Sequence, residues 1–555
     1  MTKQKFLIYG SILLMLMFSC NSEFEEILEV EEQSNQYAGR ASSSIPFTVT
    51  NMQTALQSVL IYYMQQNKPD VVAQFSNYEV NTTHYYYKFT PTDSTQYKLL
   101  MNDTLIDVSI QPFEAEHIEP TRDYSDTEIP AFYAIVKADH QIPANVPVTV
   151  LENLHFTNED ALDDSNKTEI EFLLNLTFES RRLQNYLYED EREDEYYDFN
   201  AEDKISIKLP KKWRPSGRVR VEEDRLTTLN YNTRVYVPIR GARVNMLKWG
   251  FLQVEHGFTN ENGNFSGGTT WTNHITYNLK FKHSFCVVRE GNFFDTANHK
   301  SDSHHRRAWN HDFNTGGRSH FYALVYNASY DYYFRVVSLY NLHFPWGTTI
   351  SAKYHGSDSS NSPYWIPFNS TIRVARLNDD GSYRNSDGIY ASTVHELTHE
   401  SHRRMDAGIF AFIHTGDSKE RRLMRESWAE GVETIVTNQR YLFLFPGYTA
   451  SNGDGGFGTN LWNGSKQRVA VAAMTVYTPL VIDLNDNLNQ NLLPGTGGLL
   501  PTDRVSGYTI RQMQSALKNS RTLTEWRDKL VNNNVNPTEG NIDDVFDYAI
   551  TVKNN

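Results

Sequence analysis

The sequence predicts a multidomain α+β protein, on three observations. Its 555 residues exceed one ordinary core and suggest three or four domains. Hydrophobic residues at 39%, with 13% aromatic, supply enough apolar surface for packed interiors. The apolar period also changes along the chain. Mixed helix and strand signals fill residues 45–205, alternating strands fill 230–295, and an upstream sheet followed by long helical periods fills 300–555.

The first residues have the pattern of an export signal. Lys3 and Lys5 precede an apolar run from Phe6 to Phe18, followed by Ser19-Cys20. The run is too short to span a bilayer comfortably. Met17-Phe18-Ser19-Cys20 resembles the lipobox of bacterial lipoproteins, which implies cleavage after residue 19 and lipidation of Cys20. Asn21-Ser-Glu-Phe-Glu-Glu26 resembles the acidic export tag of surface lipoproteins in Bacteroidota-type bacteria. The resemblance implies an exported protein, lipid-anchored to the outer membrane and surface-exposed; an ordinary cleaved signal is the alternative. Residues 20–44, acidic and then Ser-rich, are expected to be a tether.

The N-terminal α+β domain is expected over 45–205, with helices at Ala55–Ile61 and Glu169–Tyr188 and strands at Tyr85–Phe89 and Phe132–Val136. The charge block Glu189–Glu195 and the basic Lys211-Lys-Trp-Arg-Pro215 mark a boundary near 190–225, with 206–229 as linker. Strand signals then recur at Arg234–Ile239, Ala242–Met246 and Tyr277–Phe281. Gly241–Val244 and the hairpin Thr259–Phe265 resemble the small transthyretin-like, carboxypeptidase-regulatory β-sandwich, which implies a positioning module over 230–295 without catalysis. Beyond 300, helices are expected at about Asp387–Ala407, Asp417–Tyr441, Lys466–Thr475, Thr509–Lys518 and Leu523–Asn532.

The first of these helices carries His395-Glu-Leu-Thr-His399. Residues four apart share a helix face, so both imidazoles can reach one metal ion, with Glu396 placed to take a proton from water. The extended three-histidine form fails, because His402 stands where its glycine belongs and Met405 where its third histidine belongs. Ala429-Glu430-Gly431 on the next helix resembles the glutamate helix of gluzincins, the thermolysin and aminopeptidase clan of zinc metallopeptidases. That resemblance implies a zincin-like domain over 300–555 holding one Zn2+ through His395, His399 and Glu430, with Glu426 as the runner-up ligand. It also implies Glu396 as general base and a tyrosine at the oxyanion, Tyr477 first and Tyr441 second. The aminopeptidase G-x-M-E-N motif is absent, which favours cleavage within chains and a peptide or protein substrate.

Other residues receive blander expectations. Glu433 is expected to face solvent or to support a ligand, and His402 and His414 to lie on the surface or in loops. His304, His305 and His311 are expected in a polar loop, and Cys286 as a buried small hydrophobe. Strand Ser370–Arg376 offers an edge on which an extended peptide can pair. With 52 basic against 67 acidic side chains, the charge of −15 argues against a nucleic-acid partner. No later apolar stretch reaches spanning length, so membrane association is expected through the lipid anchor only. The competing reading is a catalytically inactive zincin-like lipoprotein that binds a glycan or protein.

Overall fold

The computed structural model describes residues 45–554 except 104, 113–128, 188–210, 292–293, 358–370, 412–416, 454–458, 469–475 and 493–501. The expected signal, Cys20, the tether, Glu189–Glu195 and His414 lie outside the described residues. The described chain forms two compact units, the second beginning at Lys212. The protein is mixed α/β, consistent with the expected α+β class.

The first unit contains helices α1 (Val49–Gln65) and α2 (Pro69–Phe75), strand β1 (His84–Phe89), helix α3 (Ser94–Asn102), strands β2 (Phe132–Lys137) and β3 (Val148–Leu154), and helix α4 (Lys167–Leu183). The strands make one antiparallel sheet in the order β2-β1-β3. Apolar side chains at helical spacing, among them Met52, Ala55 and Val59 of α1 and Ile170 and Leu173 of α4, are buried where these two helices pack. Thr48 caps α1 by accepting from the Asn51 amide at 3.1 Å.

The second unit opens with β4 (Ser216–Glu222), α5 (Asp224–Leu229), β5 (Tyr236–Pro238), β6 (Arg243–Lys248), β7 (Leu252–Phe258), β8 (Asn264–Ser266) and β9 (His274–Lys280). β10 (Lys282–His283), β11 (Cys286–Glu290), β12 (Asn298–His305) and β13 (Trp309–Phe313) follow. Helix α6 (Arg318–Asp331) runs through a π-helical turn into α7 (Val337–Tyr340), and then come β14 (Thr348–Lys353) and β15 (Thr371–Ala375). The rest is helical: α8 (Ser386–Met405), α9 (Lys419–Leu444), α10 (Leu480–Asn485), α11 (Ile510–Leu517), α12 (Leu523–Asn533) and α13 (Ile542–Asn554). A one-turn helix at Gly464–Arg468 is all that is described of the helix expected over Lys466–Thr475.

Three sheets precede and flank these helices. An antiparallel sheet has the order β12-β9-β6-β7; a second runs β13-β4-β5 with β8 added to β4; a third runs β10-β11-β14-β15. In the third, β11, β14 and β15 are parallel, and α8 packs on β15. The first two face each other through aromatic rings. Tyr277 of β9 stacks on Trp309 of β13 at 5.7 Å, and Phe265 of β8 meets the Tyr277 ring edge-on at 5.7 Å.

The structure corrects two domain expectations. A continuous hydrophobic cluster runs from Val219 to Val552, so the strands over 230–295 share a core with the helical region instead of standing apart from it. Within the expected linker, β4 and α5 contribute the fully buried Val219, Val221 and Leu226 to that core. The histidine cluster also differs from the expected loop. His304 and His305 lie on β12, paired with Ile275 and His274, while His311 on β13 stacks against His299 at 4.8 Å. Cys286 is buried in β11, as expected.

A buried charge network fixes α6, α8 and α9. Asp331 accepts from Arg335 at 2.6 Å and from the Tyr390 hydroxyl at 2.6 Å. Arg440 approaches Asp331 at 3.8 Å and Glu223 at 3.1 Å, and its guanidinium lies 4.7 Å from the Tyr390 ring centre. Burial alone would raise the Asp331 pKa, but Arg335, Arg440 and Tyr390 outweigh it and hold the carboxyl below its usual range. Arg440→Leu strips both acids of this partner, so chemical denaturation should show a loss of about 3–5 kcal/mol. Gly431 of α9 packs against α10, where a Cβ would come within 2.2 Å of Val481 Cγ1. Gly431→Ala should therefore destabilise by about 1–3 kcal/mol despite the better helix propensity of alanine, read as a fall in melting temperature.

Candidate metal centre

Helices α8 and α9 lie side by side, and the face between them carries the ionisable cluster. α8 suits its own dipole, with Asp387 in the first turn and Arg403 and Arg404 in the last. Ser418 caps α9 by accepting from the Arg421 amide at 3.3 Å. The four-residue spacing turns His395 and His399 of α8 toward Glu426 and Glu433 of α9.

Three ligand-type atoms converge there. His395 Nε2 and His399 Nε2 are 3.1 Å apart, and Glu426 Oε2 lies 3.2 Å from the second and 3.6 Å from the first. A tetrahedral ion with bonds of about 2.0–2.1 Å requires donor atoms about 3.3 Å apart, so the triangle has the dimensions of a three-ligand zinc face. Among the described residues, His395, His399 and Glu426 are the group of this kind.

Supporting contacts fix the first imidazole. Glu433 Oε2 takes a hydrogen bond from His395 Nδ1 at 2.8 Å. A carboxylate only accepts, so Nδ1 carries a proton toward Glu433 and Nε2 is the nitrogen turned into the triangle. Trp462 Nε1 donates to Glu433 Oε1 at 2.6 Å, and Asn463 Nδ2 donates to Thr434 Oγ1 at 2.7 Å. Burial opposes the negative charge of Glu426, yet the imidazoles beside it outweigh burial and hold its pKa well below the usual carboxylate range. Burial, with Glu426 and Glu433 nearby, drives the Glu396 pKa well upward. Glu396 is buried on α8 beside the first histidine, with a carboxyl biased toward holding a proton.

The sequence-predicted third ligand is displaced by one helical turn. Glu430 does not join the triangle; its Oε1 lies 2.5 Å from Lys466 Nζ, and Glu426 occupies the place beside the imidazoles. Tyr477 stands at the site, its ring centre 6.4 Å from that of His395, with Lys466 Nζ 4.9 Å above the ring. Tyr441, the second candidate for the oxyanion, is buried elsewhere and donates to Glu223 at 2.8 Å. His402 departs from its expected surface position. It is 1% exposed, packs edge-on to Phe410 and has both ring nitrogens buried without a partner, and burial pushes its pKa down to about 3.

Trp462, Asn463 and Lys466 were missed at the sequence level. Trp462 and Asn463 precede the one-turn helix that carries Lys466, and a Trp-Asn-Gly turn or a helical lysine gives no local sign of what it will face. Compared with protein-family models and with curated proteins, the chain matches none. The chemistry of the site therefore rests on its own geometry.

Two outcomes check this arrangement. Glu433→Ala removes the acceptor that fixes His395, so zinc affinity measured by competition with a chelator should fall about 10- to 100-fold. Protons compete for the same nitrogens, and the flanking carboxylates overcome burial to raise the His395 pKa. Zinc affinity should accordingly weaken as pH falls, with release of bound zinc on acidification.

Proposed function

We propose that the protein is a zinc-dependent peptidase in which His395, His399 and Glu426 hold the ion and Glu396 carries the proton. The observation behind this reading is the triangle of 3.1, 3.2 and 3.6 Å beside a buried glutamate on the same helix. Two imidazoles and a carboxylate suit zinc in a catalytic setting, where three protein ligands leave one position open. Zinc at this face supplies Lewis-acid polarisation of a carbonyl and lowers the pKa of water. Glu396, whose ionised form a divalent cation at the triangle would favour, takes the proton from the attacking water and delivers it to the departing amine nitrogen. Glu433 keeps His395 in the tautomer that can ligate, and Trp462 keeps Glu433 in place.

The substrate in this reading is a peptide or protein, cleaved within the chain. Export and lipidation at Cys20 place the enzyme on the outer membrane, facing substrates outside the cytoplasm. Elemental analysis of purified protein should find one zinc per chain. Glu426→Ala should lose it, whereas Glu430→Ala should keep it, since the second glutamate faces Lys466. Glu396→Gln should retain zinc while peptide hydrolysis falls by about 10²–10⁴-fold. Zinc retained by Glu426→Ala, or full hydrolysis by Glu396→Gln, contradicts the assignment.

A further inference from the structure

Lys466 is the cation at the edge of the cluster. Its Nζ lies 2.5 Å from Glu430 Oε1 and 4.9 Å from the centre of the Tyr477 ring, which is itself 6.4 Å from the His395 ring. Glu430 is sealed, with 3% of its side chain exposed, whereas 43% of the Lys466 side chain is exposed. The Lys466 side chain thus runs between buried acids and the open side of the site. It carries three N–H donors, and one carboxylate oxygen leaves donors available on that open side. Arg425, another cation near His399, is committed to Asp417 and to the carbonyl of Ile409 at 3.0 Å.

We infer that Lys466 donates to the oxyanion formed when a peptide carbonyl is attacked at this centre, with Tyr477 as the ring against which the ammonium rests. The inference rests on the peptidase reading and names its missing electrophile. Water oxygen bonds to the carbonyl carbon, the C=O π pair moves onto the carbonyl oxygen, and the water proton passes to Glu396. When the C=O bond re-forms, the C–N bond breaks and that proton goes to the leaving nitrogen. Negative charge on the carbonyl oxygen exists only between these events. A fixed ammonium at the rim, held by Glu430 and Tyr477, stabilises that charge without reorganising. Glu430 acts here as a positioning residue for Lys466.

The test separates this role from simple neutralisation of Glu430. In the full chain, K466M/E430Q removes both members of the pair and leaves no stranded buried carboxylate. With zinc still at one per chain, kcat on a fluorogenic peptide library should fall about 10²–10³-fold while KM changes little. K466R/E430Q, which restores a cation alone, should recover at least about tenfold of that loss. Wild-type kcat in K466M/E430Q overturns the inference and leaves the peptidase reading intact. If wild-type protein cleaves no library member, that reading fails, and the anion site is judged by calorimetry with inorganic phosphate on zinc-loaded protein. Binding about tenfold weaker in K466M/E430Q supports Lys466 as an anion donor, and equal binding overturns it.

Discussion

The constraint on which the structure depends is the burial of acids and imidazoles in one seam between two helices. Glu396, Glu426, Glu430 and Glu433 are all largely withdrawn from water beside His395 and His399. Isolated charges there would cost several kcal/mol each, so every one needs a partner or a proton. The seam distributes them. Glu433 holds His395, Glu430 holds Lys466, Glu426 faces both imidazoles, and burial biases Glu396 toward its neutral form. A divalent cation at the triangle would relieve the remaining conflict, two imidazole nitrogens and a carboxylate oxygen crowded together.

The surrounding fold keeps this seam rigid. The Asp331, Arg335 and Arg440 network joins α6, α8 and α9 on the side of Tyr390, five residues before the first histidine. On the other side, Val481 of α10 fits where Gly431 has no side chain. Small errors in helix spacing would move a donor atom by as much as a bond length. The close approach at glycine and the fixed guanidinium contacts resist such a shift.

What could be read in the sequence follows from the range of the interactions involved. His395, Glu396 and His399 were legible because a four-residue spacing on one helix determines their mutual placement. The third corner of the triangle was not, since Glu426 and Glu430 lie one turn apart on the same face and the local pattern suits both. Lys466 decides between them by pairing with Glu430, and it comes from a separate part of the chain. The long helices were anticipated to within a few residues, as with α8 against Asp387–Ala407. The shared core of strands and helices was invisible to periodicity, which reports that a face is apolar but not what covers it. His304, His305 and His311 looked like loop residues because polar strands lack the β-branched signature; their order comes from the pairing of β12 with β9 and of β13 with β4, and from stacked rings.

X-ray absorption at the zinc edge of the zinc-loaded protein tests the central claim most directly. The expected spectrum shows two imidazoles and oxygen donors, with zinc–nitrogen distances of about 2.0–2.1 Å, and it should be unchanged in E430Q but lose its carboxylate contribution in E426Q. A spectrum without imidazole scattering, or one altered by E430Q and not by E426Q, would contradict the account.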